Sequence, residues 1–149
     1  SRFMKPANLL ISKLQDSGDR ITPARGAIVD IFTSSAGPLS VEAIRKSLTK
    51  RHLPVNKTTV YREIEFLLGR GIIRPVHVDD STKFYELVTD SHHHHVVCTN
   101  CSKFVDVETD GIEEYLEKLE KKLAKKINFK SVRHSLEFFG ECLSCQKKK

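Results

Sequence analysis

The chain has 149 residues, of which 39% are hydrophobic and 30% charged, with a net charge of +6 and an isoelectric point of about 9.2. No apolar stretch approaches the length of a bilayer span and no secretory signal is visible, so we expect a globular cytoplasmic protein without a membrane partner. Residues 1–88 hold 14 Lys and Arg against 9 Asp and Glu, whereas residues 89–149 hold 11 against 10. A basic first half attracts polyanions such as nucleic acid, although it also serves solubility.

Short helices are predicted along this basic half. A weak amphipathic pattern runs over residues 8–14. Thr22-Pro23 is a helix start, because Thr caps free backbone N–H groups and Pro is tolerated at the first helical position. Ser40 is predicted to cap the next helix. Together these patterns indicate a small helical bundle.

The helix predicted over residues 56–69 is the most informative. One face carries apolar residues at helical spacing: Val60, Ile64, Leu67 and Leu68. The other face and its flanks carry donors, cations and an aromatic ring near the N-terminus: Lys57, Thr58, Thr59, Tyr61 and Arg62. Most such faces are simply solvated. This one belongs to the third strong helix of a basic bundle and follows a short turn, so we predict the recognition helix of a helix-turn-helix.

A hairpin and a linker follow that helix. Residues 72–78 and 83–88 have strand patterns, joined by a polar Asp-Asp-Ser-Thr turn. Helices followed by a hairpin predict a winged helix, whose third helix enters the major groove of DNA. A polar segment over residues 88–91 indicates a boundary, so we predict a DNA-binding domain over 1–88 and a second domain over 89–149.

The second domain is predicted to be a small α+β unit. Strands are expected over residues 92–98, 103–108 and 131–139, with a long helix carrying apolar residues at helical spacing over 112–127. An exposed apolar stripe on that helix would suit a homodimer interface. The predicted fold class is therefore α+β: an N-terminal winged helix followed by a dimerisation domain with a four-cysteine zinc site.

The cysteines come as two brackets, Cys98-x-x-Cys101 and Cys142-x-x-Cys145, and the chain has no others. Each bracket places two thiolates on one turn, and two brackets supply the four sulfurs of a tetrahedral zinc site. Two disulfides would be the reading for a secreted protein, and a thioredoxin-like pair would need one bracket rather than two. The sequence therefore favours Zn²⁺.

Four histidines, His92 to His95, precede the first bracket. In a strand successive side chains alternate between faces. His92 and His94 are therefore expected on one face, and His93 and His95 on the other. Imidazole suits Zn, Fe, Mn or Co in mixed nitrogen and oxygen sites, so one strand could serve two ions.

Further ligands are needed on the first of these faces. His134 is in phase with Val132 and Leu136, which places it on the inward side of its predicted strand, and we favour it as a ligand over a hydrogen-bonded core histidine. Glu113 is either a metal ligand or a capping residue of the helix, because Asp110 and Glu113 have the spacing of a capping box.

Candidates for the second face lie further apart along the chain. Glu86, at the end of the hairpin, and Asp106, in the predicted second strand of the second domain, offer carboxylates. His77 points away from the apolar side of the hairpin. It either reaches an ion at the hinge or is solvated.

These motifs together resemble the ferric uptake regulator (Fur) family over roughly residues 8–145. The residues that carry the resemblance are Thr-Thr-Val-Tyr-Arg over 58–62, Phe-Tyr-Glu-Leu over 84–87, His-His-His-His-Val-Val-Cys-x-x-Cys over 92–101, and the second cysteine bracket. The resemblance implies a dimeric, metal-sensing transcriptional regulator, usually a repressor, that binds a DNA operator and is not an enzyme. It implies structural zinc on the four cysteines, base recognition by Tyr61 and Arg62, and Arg25 near phosphate.

The resemblance also implies two further metal sites. A hinge sensor site would use Glu86, His93 and His95, with Asp106 in some branches. The family's additional hinge histidine is replaced here by Pro38, which cannot bind metal, and His77 is the candidate substitute. The second site maps onto four residues: His92, His94, Glu113 and His134. The regulatory metal is expected to be Fe²⁺, Zn²⁺ or Mn²⁺, which leaves the iron-, zinc-, manganese- and peroxide-responsive branches open.

Two other classes of function remain as rivals at this point. A zinc hydrolase or deaminase would need an open zinc position and a nearby general base, but four sulfurs saturate the ion. A metal-storage or delivery protein would not need the polar face over residues 57–62 or a basic first half. No small organic ligand is expected.

Overall fold

The computed structural model describes residues 5–89, 92–109 and 111–148. The chain divides into two compact units, Ser1–Val88 and Thr89–Lys149. Both units mix helix and sheet, so the α+β fold class predicted from the sequence is confirmed. Across the described ranges, no helix has both the length and the apolar character that crossing a bilayer requires.

Over residues 5–88, the first unit is a bundle of four helices with a small sheet. Its elements are α1 (Pro6–Asp16), α2 (Pro23–Ser34), β1 (Leu39–Ser40), α3 (Val41–Lys50), α4 (Lys57–Gly69), β2 (Ile73–Val76) and β3 (Phe84–Leu87). α1 is longer than the helix predicted over residues 8–14. The hairpin strands β2 and β3 are shorter than the strands predicted over 72–78 and 83–88.

Three of these helices begin at side chains that cap them. The side-chain oxygens of Thr22, Ser40 and Asn56 each accept a hydrogen bond from the backbone N–H three residues later, at 3.2, 3.1 and 2.8 Å. A cap of this kind contributes about 1 kcal/mol, because it pairs a donor that the helix leaves free. The caps fix where α2, α3 and α4 start.

The four helices enclose one apolar core. Its most buried side chains come from α2, α3 and α4: Ile28, Val29, Ile44, Leu48, Val60, Ile64 and Leu67. Ile73 and Tyr85 add the sheet to the same core. Because Val60, Ile64 and Leu67 share one face of α4, burying that face turns the opposite face of the helix to solvent.

The sheet of the first unit has the strand order β1-β3-β2, with both pairs antiparallel. β2 and β3 form the predicted hairpin, with Ile73 opposite Leu87 and Val76 opposite Phe84. Pro75 lies in β2, which is an edge strand, where a missing N–H is tolerated. A helical bundle followed by this sheet is a winged helix.

The second unit is built around one central strand. Its elements are β4 (His94–Cys98), β5 (Phe104–Val107), α5 (Ile112–Ile127), β6 (Glu137–Gly140) and α6 (Leu143–Gln146). The strand order is β5-β4-β6, with β4 antiparallel to β5 and parallel to β6. β4 begins at His94, two residues later than the predicted strand, so it carries His94 and His95 and ends at Cys98, while His92 and His93 directly precede it.

The last strand differs from its prediction. We expected a strand over residues 131–139, but β6 covers only Glu137–Gly140, and residues 132–136 have no strand pairing. β6 pairs with β4 from His95 to Cys98, so the partner strand limits its length. His134 therefore lies in the segment before β6 and not within a strand.

Helix α5 has no buried residue. Its apolar side chains lie at the predicted helical spacing, but Tyr115 is 65% exposed and Ile127 is 48% exposed. Beyond the helix, Phe129, Phe139 and Leu143 are also more than half exposed. The second unit therefore presents much of its apolar surface to solvent.

Candidate metal centres and DNA-binding helix

The four cysteines of the second unit lie together as free thiols. Their sulfur atoms are all within 4.8 Å of one another. Cys98 Sγ lies 3.9 Å from Cys145 Sγ, and Cys101 Sγ lies 3.8 Å from Cys142 Sγ. Tetrahedral zinc with Zn–S bonds of about 2.3 Å separates its sulfurs by about 3.8 Å. The cluster therefore fits a zinc ion.

Local hydrogen bonds make these thiols unequal. Backbone N–H groups lower the pKa of Cys98 to about 6, and the largest contribution comes from Cys142, whose N–H donates to Cys98 Sγ at 3.3 Å. The pKa of Cys145 is raised to about 12, first by its hydrogen bond with Cys142 and then by burial. Cys98 therefore ionises more readily than Cys145, and a dication would be needed to hold all four as thiolates.

On one face of β4, a histidine and a glutamate meet. His94 is buried, and its Nδ1 lies 3.1 Å from the carbonyl oxygen of Leu136. Its Nε2 is in direct contact with Glu113 Oε1. Glu113 Oε2 lies 3.7 Å from His134 Nε2. Ligand atoms of His94, Glu113 and His134 fall within 4.8 Å of one another, which is the spacing of atoms that share a metal ion.

His92 lies at the edge of this group. Its Nδ1 is 3.7 Å from Glu113 Oε2, and its ring stacks on that of His134 with centroids 6.4 Å apart. Its side chain is 63% exposed, in contrast to the 7% of His94. The structure thus brings three of the four predicted ligands together and leaves His92 nearby.

The chemistry of Glu113 favours a ligand over a helix cap. α5 begins after Gly111, whose φ of 83° is left-handed and which has no side chain to cap the helix. The other member of the predicted capping box, Asp110, lies outside the described residues. Hydrogen bonding to His94 lowers the pKa of Glu113, and the nearby His94, His134 and His92 add to this. Its Oε2 is buried without a hydrogen-bond partner, as a site for a cation requires.

His93 and His95 lie against each other on the other face. Their ring centroids are 5.0 Å apart in a T-shaped arrangement. His95 Nε2 lies 3.5 Å from Asp106 Oδ1, its cross-strand neighbour on β5, and the His95 ring also contacts Phe104. The second unit by itself therefore places two imidazoles and one carboxylate on this face.

The other residues predicted for the sensor site belong to the first unit. Glu86 is buried in β3, where its Oε1 accepts a hydrogen bond from Arg74 Nε at 2.9 Å. His77 is exposed directly after β2. Pro38 is buried next to β1.

Helix α4 presents the predicted polar face. Lys57, Thr58, Tyr61 and Arg62 are exposed, and Thr59 is half-buried. Lys57 Nζ lies 5.8 Å from the centroid of the Tyr61 ring, which keeps a cation beside the aromatic face. Two cations and a 41% exposed tyrosine on a rigid helix form a surface suited to a polyanion.

Arg25 is paired within the first unit. Its Nε and Nη2 donate to the two carboxylate oxygens of Glu63 at 2.7 and 3.3 Å, and its Nη1 donates to the Arg20 carbonyl at 2.7 Å. Its guanidinium also lies 3.6 Å from the centroid of the Phe66 ring. With a side chain only 15% exposed, Arg25 holds α2 against α4.

Two acidic residues that contact candidate site residues, Glu63 and Glu120, were not identified from the sequence. Glu63 falls on the buried stripe of α4, three residues from Val60, and an acid at such a position signals a buried cationic partner. Glu120, whose Oε1 lies 2.7 Å from His134 Nδ1, is seven residues after Glu113 and therefore on the same face of α5. In both cases the sequence signal is an acidic residue at helical spacing from a residue already assigned to the core or to a site.

Comparison with known proteins decides the family. The model of the Ferric uptake regulator family matches residues 16–139. The chain belongs to the ferric uptake regulator family. The predicted resemblance is therefore confirmed. Members of this family are metal-responsive transcriptional regulators and not enzymes, and the predicted function of metal-responsive regulation is confirmed with it.

Curated relatives in the ferric uptake regulator family span nearly the whole chain. The peroxide operon regulator of Bacillus subtilis is 31% identical over 138 residues, covering 93% of this chain and 92% of the relative. The ferric uptake regulation protein of Neisseria meningitidis is also 31% identical, over 139 residues, with 93% and 94% covered. Relatives thus come from both the peroxide and the iron branches.

Solved structures agree with the ferric uptake regulator fold. The Helicobacter pylori ferric uptake regulator, described as having three functional metal binding sites, has a TM-score of 0.72 at 25% identity, with 93% of this chain and 90% of that chain covered. A zinc-bound manganese uptake regulator has a TM-score of 0.68 at 27% identity, with 90% and 98% covered. This chain has ligand sets for the predicted cofactors, zinc and a second divalent metal.

Proposed function

We propose that this chain acts in the cytoplasm as a homodimeric repressor that binds a palindromic double-stranded DNA operator when its sensor metal is bound. Family membership supports the metal-responsive part. The observation that carries DNA binding is the exposed face of α4, which offers Lys57, Tyr61 and Arg62 while the opposite face is buried in the core.

In this proposal residues 1–88 are the DNA-binding domain, and α4 enters the major groove. Arg62 donates to guanine edges, and Tyr61 packs against thymine methyl groups, so these two residues read sequence. Phosphate contacts fix the register and come from the first turn of the helix: Lys57, Thr58 and Thr59. Arg25 contributes by positioning α4 through Glu63.

Residues 89–149 are, in this proposal, the dimerisation and metal-binding domain. The exposed apolar side chains of α5 and the two exposed phenylalanines Phe138 and Phe139 support an interface with a second copy. A two-fold dimer would present two α4 helices, which is the symmetry that a palindromic operator mirrors.

Zinc on the four cysteines is structural in this proposal, because four thiolates leave no open position on the ion. The sensor metal, Fe²⁺, Zn²⁺ or Mn²⁺, is assigned to Glu86, His93 and His95, with Asp106 and His77 as further ligands. The family resemblance supports this set. Bound there, a divalent cation would supply bonds that stabilise one arrangement of the DNA-binding domains.

The second metal site is assigned to four residues: His92, His94, Glu113 and His134. Two imidazole nitrogens and a carboxylate oxygen that converge within 4.8 Å support it. Three imidazoles with one carboxylate are a borderline-soft donor set, which suits zinc better than magnesium or calcium.

Fluorescence anisotropy with an A/T-rich palindromic duplex tests the whole proposal. We expect tight binding with Mn²⁺ or Zn²⁺ present and a large loss of affinity after chelation of the weakly held metal. To move a population from 1:99 to 99:1, the metal must favour the binding state by about 5.5 kcal/mol. Equal affinity with and without metal would contradict metal control, and no binding in either state would favour a storage or delivery protein.

The recognition helix is tested by Arg62→Ala. Loss of one bidentate base contact costs about 1–3 kcal/mol of discrimination, so preference for the operator over a scrambled duplex should fall about 5- to 150-fold. Arg133→Ala removes the same charge from an exposed position in the second unit and serves as the control. Zinc content should be unchanged in both variants. Retained preference in Arg62→Ala would refute the assignment of the helix.

A further inference from the structure

His134 lies between two carboxylates of α5. Its Nδ1 is 2.7 Å from Glu120 Oε1, and its Nε2 is 3.7 Å from Glu113 Oε2. Glu113 and Glu120 are two helical turns apart on one face of α5. Only Glu113 belongs to the group of converging ligand atoms with His94 and His134. Glu120 therefore lies on the far side of the His134 ring from that group.

The contact with Glu120 determines which nitrogen of His134 carries the proton. A neutral imidazole has one donor and one acceptor, and an ionised carboxylate only accepts. Nδ1 must therefore be the donor toward Glu120, which leaves the Nε2 lone pair directed toward Glu113. His94 follows the same pattern, because its Nδ1 faces the carbonyl oxygen of Leu136.

The hydrogen bond between His94 Nε2 and Glu113 requires a proton between them, and a divalent metal can take the place of that proton. The Nε2 atoms of His94 and His134 both face the carboxylate of Glu113. The arrangement is therefore one that a divalent metal stabilises. With two neutral imidazoles and one carboxylate as ligands, a site that holds a dication has a net charge of +1. Glu120, on the other side of the His134 ring, supplies the negative charge that balances it.

We propose that Glu120 is a positioning residue of this metal site. It accepts the Nδ1–H of His134, fixes the tautomer and the plane of the ring, and strengthens Nε2 as a ligand. Glu120 and His134 are 22% and 20% exposed, so the hydrogen bond is partly shielded from water. The inference rests on the proposed metal site at His94, Glu113 and His134, but not on DNA binding.

The test compares Glu120→Leu, Glu120→Gln and the control Glu117→Leu in the full chain. Glu117 is an exposed acid of the same helix, one turn earlier. The first readout is the tautomer of His134 from long-range ¹H–¹⁵N NMR. We expect the Nδ1–H form in the wild type, in Glu117→Leu and in Glu120→Gln, whose amide oxygen can still accept, and a mixture of tautomers in Glu120→Leu.

The second readout is the affinity for Zn²⁺ itself, measured by chelator competition while the His134 resonances are followed. We expect about 10- to 100-fold weaker binding in Glu120→Leu and a smaller loss in Glu120→Gln. Wild-type affinity in Glu120→Leu, or an Nε2–H tautomer in the wild type, would overturn the positioning role. If zinc leaves the wild-type His134 signals unchanged, the metal site fails together with the positioning role. A failure of operator binding alone leaves both standing.

Discussion

In the first unit, four helices bury a continuous apolar core, whereas in the second unit α5 buries none of its residues. Among the described residues of the second unit, the buried apolar side chains are Val97, Cys98 and Cys145, and two of these belong to the cysteine cluster. Its buried polar residues are His94 and His95. The first unit is therefore stabilised by apolar burial, whereas the second unit would depend on the proposed zinc ion and partner copy.

The largest effect should come from the cysteine cluster. Cys145→Ser removes one of the four sulfurs and should release zinc. Structural zinc contributes on the order of 10–16 kcal/mol in small peptides, which exceeds what so small a core provides. We expect the amide resonances of residues 92–148 to collapse to the unfolded range while those of the first unit persist, with metal content measured in parallel.

The control for this variant is Ser144→Ala, an exposed change in the same short helix. It should retain zinc and all resonances. A folded second unit in zinc-free Cys145→Ser would show that apolar burial alone suffices there, and the contrast between the units would disappear.

The next effect should come from the core of the first unit. Ile44 is fully buried, so Ile44→Ala should cost about 4 kcal/mol, within the range for such truncations. Urea unfolding followed by circular dichroism measures it, and zinc content should not change. Leu9→Ala, at a 50% exposed position of α1, should change stability by less than about 0.5 kcal/mol. Loss of zinc in Ile44→Ala would mean that the two units do not fold independently.

A smaller loss is expected for Arg25→Met. It leaves the buried carboxylate of Glu63 without its cation, which costs about 3 kcal/mol. The loss should appear in the absence of DNA, because Arg25 is occupied within the protein. Arg20→Met is the matched control, since Arg20 is exposed and contributes only its carbonyl to this contact.

The double variant Arg25→Met, Glu63→Leu should recover much of this stability, because both charges are then removed. Wild-type stability in Arg25→Met, combined with weaker DNA binding, would instead support the phosphate contact that the family resemblance implies.

The smallest effect is a pH dependence at the surface of the first unit. Hydrogen bonding to Arg70 lowers the pKa of Asp19 below its usual 3.8. A lowered pKa stabilises the folded state at pH values above the ordinary pKa of the group. This stabilisation is lost as the pH falls through the lowered pKa. Asp19→Asn should therefore weaken the acid-side decline of the unfolding free energy. Asp16→Asn, nearby and exposed, is the control.

Much of the fold could be predicted because its signals are local. The caps Thr22 and Ser40 act on backbone groups three residues away, and the apolar face of α4 repeats within a few turns. The opposite faces of His94 and His95 follow from strand geometry alone. Each of these features depends on neighbours that can be read in a short window of sequence.

The features that were missed depend on distant partners. The strand over 131–139 was predicted too long, because its real length is set by pairing with β4. The ion pair of Arg25 and Glu63 joins residues 38 positions apart. Glu120 reaches His134 only once α5 has packed against the segment before β6. Sequence periodicity cannot supply such partners.

The parallel pairing of β4 with β6 has a consequence for synthesis on the ribosome. β4 is complete at Cys98, but its parallel neighbour ends at Gly140, and the second pair of cysteines follows later still. The first unit can fold while the rest of the chain is being made. The central strand, which holds His94, His95 and the thiol of Cys98, must wait for its parallel partner during that interval. A nascent chain is therefore exposed to capture of the wrong metal until residue 145 has emerged.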